Sequence, residues 1–343
     1  MVAQKRASLD TIGNKRLLGQ NKTKKAYEKK RAAKAITKAV MYRLFGLDSP
    51  INEDYRQAYM CNEYLFQNGD KITSNYCQKK CCTVCNRIRG AQHLAKYGGR
   101  ILELGELYLV TLTNKNVHQG ELYDEVNGMY AALTRMKKNI YKTYKTRING
   151  YRTFECTYRG FKTGFNPHFH FIVQGEKEAN LLVKLWLKQF PSANVGGQNV
   201  KKVTNTKKSL LEVFKYLAKP ITKGYYSATA YDEIMIAAKR HRVTEPLGCI
   251  RGKKDEDSDE LSLEELKAQK INFKGHRVEV WKYVHELYDY VSPDGELLLD
   301  TKLDAKTINS LRIIERYDVE EKKEKMSEQS MFYEHRGKGK ILF

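Results

Sequence analysis

No run of about 18 apolar residues occurs in the 343 residues of this chain, and its basic N-terminus leads into no apolar signal core. A membrane span and a secretory leader are therefore not expected, and the reading is a soluble, cytoplasmic protein without a membrane partner. Acidic residues are in short supply: 40 Asp and Glu face 62 Lys and Arg, a formal charge of +22. That imbalance points to a polyanionic partner, with nucleic acid first, because cationic surfaces release counterions from phosphate backbones. Cysteine is not absent, but its seven copies are an odd number and five crowd into residues 61–85. A secreted disulfide framework is thereby disfavoured, and reduced thiols are expected. Internal repeats are missing, and so is the helix-borne HExxH of many zinc hydrolases.

What is present begins with charge. Residues 1–50 hold 13 basic and 3 acidic residues, with Lys24 and Lys25 in one run and Lys29, Lys30 and Arg31 in another. This reads as a basic arm that binds phosphates or is solvated. Residues 51–100 carry the cysteines. Cys82 and Cys85 form a CxxC knuckle that can present two thiolates to one ion, and Cys77 and Cys61 can close a tetrahedron of structural zinc. Cys81 and His93 are alternative ligands at this point, and an iron–sulfur cluster is a weaker rival. Cys156 and Cys249 stand alone and read as small buried hydrophobes.

The third segment, 101–250, is the main domain. Leu107–Thr113 reads as a strand, and 121–146 as a long helix with Leu122, Val126, Met129, Leu133, Met136 and Ile140 at helical spacing. Tyr151–Tyr158 is a second strand. A loop marked by Gly160, Gly164 and Asn166 then leads to Asn-Pro-His-Phe-His-Phe at 166–171. A strand sends i and i+2 to one face, so His168 and His170 stand side by side while Phe169, Phe171 and Val173 face a core. A helix over 179–190, a strand over 199–203 and a helix over 209–219 ending at Pro220 complete the order. The sequence βαββαβα matches an α+β fold with a ferredoxin-like, RRM-like antiparallel sheet, helices on one face and function on the open one. A small zinc-binding module and peripheral helical segments surround it. The charged run 253–265 marks a boundary near 250, and 251–343 is a linker and accessory region without a chemical signal.

Glu155 on the hairpin partner strand completes a two-histidine, one-carboxylate set for a divalent ion with positions open to substrate. Glu212 and Tyr216, four apart on one helix, share a face with Lys219 a turn further on. A tyrosine between a carboxylate and an ammonium is a candidate nucleophile, although most helical tyrosines only pack.

Together these pieces resemble the rolling-circle plasmid replication initiators, the single-tyrosine Rep proteins of the HUH endonuclease superfamily, over roughly residues 60–225. The resemblance rests on CxxxxCCxxC with Asn86-Arg87, Val110-Thr111-Leu112-Thr113, Glu155 to Tyr158, Asn166 to His170, and Glu212 to Lys219. Thr83 and Pro220 depart from residues common in that family without touching the chemistry. The resemblance implies the HUH nuclease fold and a Mn2+ or Mg2+ ion on His168, His170 and Glu155. It implies Tyr216 as the nucleophile that leaves a 5′-phosphotyrosine and a 3′-hydroxyl primer, assisted by Lys219 or Lys215. Glu212 is expected to act in termination, and Lys215, Arg87, Lys24 and Lys25 at DNA. Single-stranded and origin duplex DNA, a host helicase and a host polymerase are the implied partners, with a dimer possible. Rival readings are an HUH relaxase or transposase, a non-catalytic zinc protein at origin DNA, and a zinc hydrolase using the same ligands.

Overall fold

The computed structural model describes residues 21–68, 71–214, 220–222, 224–252 and 279–316. Helix α1 (Asn21–Leu44) and α2 (Asn52–Met60) precede strands β1 (Tyr64–Asn68) and β2 (Lys71–Ser74). Then come α3 (Thr83–Leu102), β3 (Leu107–Thr113), α4 (Leu122–Tyr144), β4 (Gly150–Tyr158), β5 (Phe165–Gln174) and α5 (Glu176–Gln189). The rest are β6 (Asn199–Lys202), α6 (Thr206–Val213), α7 (Ala228–Ala238), β7 (Thr244–Leu247), β8 (Glu279–Val284) and β9 (Asp289–Val291).

The main sheet has five antiparallel strands in the order β6-β3-β5-β4-β7. Its first four strands are the ferredoxin-like arrangement that the βαββαβ order predicts, and β7 adds one edge. Pro246 sits in β7, where an edge strand tolerates a residue that donates nothing to a ladder. Pro167 is tolerated in central β5 because β3 ends at Thr113, opposite His168, and the next backbone pairing on that side is Val117 with Phe165, which leaves Pro167 without a ladder partner there.

Alternation sorts the sheet into two faces. On the first, Phe154, Phe169, Phe171 and Val173 are buried with Val126, Met129, Leu133 and Met136 of α4, Leu182 and Trp186 of α5, and Ile234 of α7. The apolar positions of α4 are the ones its periodicity picks out. The second face is only partly open. Leu107, Tyr151 and Ile172 are covered by Tyr97 and Ile101 of α3 and by Leu210, Val213 and Phe214 at α6. At the end of this face toward His168, His170 is half-buried while His168 and Glu155 are buried.

A second antiparallel sheet runs β2-β1-β8-β9, with Leu65, Trp281, Tyr283, Tyr290, Leu298 and Leu299 as its core. The segment beyond 250 thus shares a sheet with the cysteine-bearing segment. Helix α1 differs from a free arm over its described length: Ala33, Val40, Met41 and Leu44 are buried, and so are Arg31, Lys34 and Lys38. Their charges are met from distant sequence. Arg31 bonds Asp289 at 3.2 Å, and Glu63 takes both Lys34 (2.8 Å) and Lys38 (3.1 Å). No helix among the described residues is long and apolar enough to cross a membrane.

Candidate metal centres and nuclease site

The hairpin register puts Glu155 directly opposite His168, and β3 puts Thr111 opposite His170. All three metal-competent side chains therefore project from the second face of the sheet. The Glu155 carboxylate lies 3.4 Å from His170 Nε2 and 3.9 Å from His168 Nε2. Their ligand atoms fall within 4.8 Å of one another. His168 Nδ1–H donates to the carbonyl of Asn166 at 2.9 Å, and His170 Nδ1 bonds the hydroxyl of Thr111 at 3.2 Å. Both outer partners fix the ring orientations and leave Nε2 facing the carboxylate, the outer-shell arrangement of metal-binding histidines. Burial, reinforced by the neighbouring His170, pushes the His168 pKa below the usual range, so its imidazole stays neutral, as ligation requires. The end of β3 is pinned beside this group: Trp186 Nε1 and Gln198 Nε2 both donate to the Thr113 carbonyl, at 2.9 and 3.0 Å. Two nitrogens and a carboxylate in one polar cup suit a divalent ion with open positions.

Cys61, Cys77, Cys82 and Cys85 also converge, with their sulfurs within 4.8 Å of one another. Cys85 Sγ is 3.5 Å from Cys61 Sγ and 3.7 Å from Cys77 Sγ. A tetrahedral zinc with Zn–S of about 2.3 Å has edges of roughly 3.8 Å, so the donor set fits. Backbone amides of Gln78 and Lys79 point at Cys85 (3.2 Å) and Cys77 (3.4 Å), which suits thiolate charge. Hydrogen bonds from Cys61, Cys77 and Cys85 hold the Cys82 thiol below its ordinary pKa. Helix α1 supports this module from behind, where buried Lys34 donates to the carbonyls of Tyr59 (2.8 Å) and Cys61 (2.7 Å).

The two alternative zinc ligands are placed elsewhere. Cys81 contacts the Asp54 carbonyl, and His93 bonds Tyr151 on the second face of the main sheet. Cys156 is buried, as its apolar surroundings lead one to expect, whereas Cys249 is exposed in the turn after β7. Glu212 lies on α6, half-buried, and the end of that helix is anchored to the sheet by a hydrogen bond from Thr153 to the Val213 carbonyl. Thr153 is the cross-strand partner of His170. Lys215, Tyr216 and Lys219 lie outside the described residues. Of the remaining cations expected at DNA, Lys24 and Arg87 are half-buried on α1 and α3, and Lys25 is exposed.

Sequence reasoning missed one charged cluster. Buried Arg152 and Glu245 pair at 2.8 Å, joined by Lys137 and Arg251, beside a cavity of about 490 Å³ on the first face. This cavity is on the opposite face of the sheet from His168. No sequence spacing links 152 to 245; only the pairing of β4 with β7 brings them together.

Comparison with known proteins gives one family and one relative. The model of the replication protein family matches residues 71–291. The "Protein rep" of Staphylococcus aureus is 27% identical over 187 residues, covering 46% of this chain and 79% of that protein. No solved structure matches.

Proposed function

Because the chain belongs to the replication protein family, a family of replication initiators, we propose that it starts rolling-circle replication by nicking one strand of plasmid origin DNA. The observation that carries this reading is the convergence of His168, His170 and Glu155 at one end of a ferredoxin-like sheet. His168, His170 and Glu155 would hold a Mn2+ or Mg2+ ion, which would supply Lewis-acid polarisation of the scissile phosphate. The chain's own groups do the rest. His168 presents a neutral Nε2 and His170 a second ring nitrogen, and Glu155 supplies the carboxylate that draws a divalent cation from water.

Tyr216 is the proposed nucleophile, three residues along the chain from the Val213 carbonyl that Thr153 anchors. A phenol with an ordinary pKa near 10 needs help at neutral pH, and Lys219 or Lys215 stabilises its phenolate after the proton passes to solvent. The phenolate oxygen bonds to phosphorus, the bond from phosphorus to the 3′ oxygen breaks, and that oxygen takes a proton from water. The products are a 5′-phosphotyrosine and a 3′-hydroxyl that a host polymerase extends while a host helicase unwinds ahead. Glu212 then acts as general base. It accepts a proton from water, which attacks phosphorus and releases the Tyr216 phenol, so that one replicon copy is freed per initiation.

The four-cysteine set is assigned a structural zinc, since four thiolates leave no open position for substrate. Arg87, Lys24, Lys25 and Lys215 are assigned to the DNA phosphates, and the site of action is the cytoplasm.

The test is nicking of supercoiled plasmid with manganese, followed by denaturing capture of covalently attached DNA. Tyr216→Phe is expected to abolish both nick and adduct while binding persists. An adduct in that variant would assign the nucleophile to another tyrosine. A wild type that binds origin DNA but never nicks would leave only a regulator.

A further inference from the structure

The hairpin that carries Glu155 and His168 closes through Arg159-Gly160-Phe161-Lys162-Thr163-Gly164. Phe161 at its tip is 82% exposed, more than any other large hydrophobic among the described residues. A single exposed aromatic carries no message by itself. Three further observations set this one apart.

The first is rigidity. Gly164 N–H donates to the Gly160 carbonyl at 2.8 Å, and Arg159 N–H donates to the Gly164 carbonyl at 3.0 Å. Phe165 exchanges hydrogen bonds of 2.7 and 3.0 Å with Val117, clamping the base of the turn to the loop after β3. Gly164 has φ +71°, and a Cβ there would lie 2.2 Å from the Val117 carbonyl oxygen, so the clamp requires glycine. The turn is held, and its aromatic ring is presented.

The second is charge. Arg159 and Lys162 flank the ring and are both exposed, and Lys115 is exposed on the clamping loop. No carboxylate lies between 156 and 175. The third is position. Phe165, where β5 begins, is three residues from His168, or roughly 10 Å at strand rise. A strand whose phosphate sits at the His168–His170–Glu155 group and which runs along the hairpin toward its turn would reach the tip within a few nucleotides.

We infer that Phe161, flanked by Arg159 and Lys162, is a stacking platform for one unpaired base of the DNA strand being nicked, a few nucleotides from the scissile phosphate. A flat ring between cations is the usual means of holding single strands without reading their sequence. The cations take phosphates, and the ring takes a base that has left its duplex partner. The inference rests on the nicking reading for the identity of the strand, but it is tested by binding alone.

The experiment uses the full chain in a Tyr216→Phe background, so that no strand is cut, and a fluorescein-labelled 20-nucleotide single strand followed by anisotropy. Phe161→Ala is expected to weaken binding roughly five- to a hundredfold, the range for one lost aromatic–base stack. Phe161→Trp is expected to retain the affinity, and Phe161→Leu to lose it as alanine does, since leucine is apolar without a π face. Arg159→Ala and Lys162→Ala should each lower the salt dependence by about one phosphate contact. Because the side chain is exposed, thermal melting of the Phe161 variants should match the parent, which removes misfolding as an explanation. Unchanged affinity in Phe161→Ala overturns the inference, as does full affinity in Phe161→Leu. A change confined to self-association in ultracentrifugation would also overturn it, by making the tip a protein contact. The outcome is separable from the nicking reading, which stands or falls on covalent adduct with the wild-type tyrosine.

Discussion

His168 keeps its proton on Nδ1 because the Asn166 carbonyl accepts it, and burial keeps a second proton off. The ligand lone pair is thus aimed before any ion arrives. Removal of a single donor should show directly in metal affinity. Replacing His168, His170 or Glu155 with Ala is expected to weaken manganese binding at least tenfold, measured by calorimetric titration, and to abolish metal-dependent nicking. Unchanged affinity in Glu155→Ala would move the carboxylate ligand elsewhere. These three positions were legible in the sequence because a strand has period two and a short hairpin fixes its register. Once Glu155 is placed on the partner strand, its distance from His168 is set by backbone geometry. The roles of the outer partners Asn166 and Thr111 were not legible: one acts through its backbone carbonyl and the other through its hydroxyl, contacts that leave no pattern of spacing.

Among the elements, β4 and β7 are joined by more than their ladder. Burial raises the cost of the Glu245 charge, but Arg152 and then Lys137 outweigh it and hold the carboxyl at about 2. Its unfolded value is near 4.3, so the group binds fewer protons folded than unfolded at acid pH. The stability this supplies, on the order of 3 kcal/mol, is complete above about pH 4.3 and is lost as pH falls toward 2. Glu245→Gln is expected to destabilise the chain by about 3–5 kcal/mol, because Arg152 would remain buried without a counter-charge. Urea melts should also show a shallower acid limb for that variant. Equal stability of variant and wild type at pH 7 would count against the pair. The sequence marked the core strands of this sheet well, since LYLVTLT and the His-Phe-His run are apolar and alternating. It left β7 unmarked: four residues with a central proline carry too little pattern, and only the neighbouring strand defines them.

For the whole molecule, the formal charge of +22 does not say which cations face solvent. Arg31, Lys34 and Lys38 are buried and paired with Asp289 and Glu63, so part of the basic N-terminal run is internal structure. Composition could not reveal this, because the partners lie up to 258 residues away. Asp289→Ala is expected to cost about 3–5 kcal/mol, since it strands the Arg31 guanidinium in the core. A melting curve unchanged by the substitution would refute that. The cysteine set predicts about one zinc per chain by elemental analysis, kept under mild chelation that strips the nuclease metal. Harsh removal is expected to loosen α1 and the β2-β1-β8-β9 sheet together, read as new cleavage sites in limited proteolysis, because Lys34 ties α1 to the backbone of Cys61. Absence of zinc, or presence of iron, in fresh protein would overturn the assignment.

The pairing of Tyr64 with Lys282 has a meaning in time as well as in space. Strand β1 leaves the ribosome 218 residues before its neighbour exists. At ordinary translation speeds that is a wait of roughly 10–40 s. Throughout it, Leu65 has no Trp281 or Tyr283 to cover it, Lys34 and Lys38 lack the Tyr283 ring, and Arg31 has no Asp289. The sheet beside the cysteines therefore cannot be completed before residue 282 is made, and a nascent chain halted short of it carries every proposed catalytic residue and all four clustered cysteines on an unfinished support.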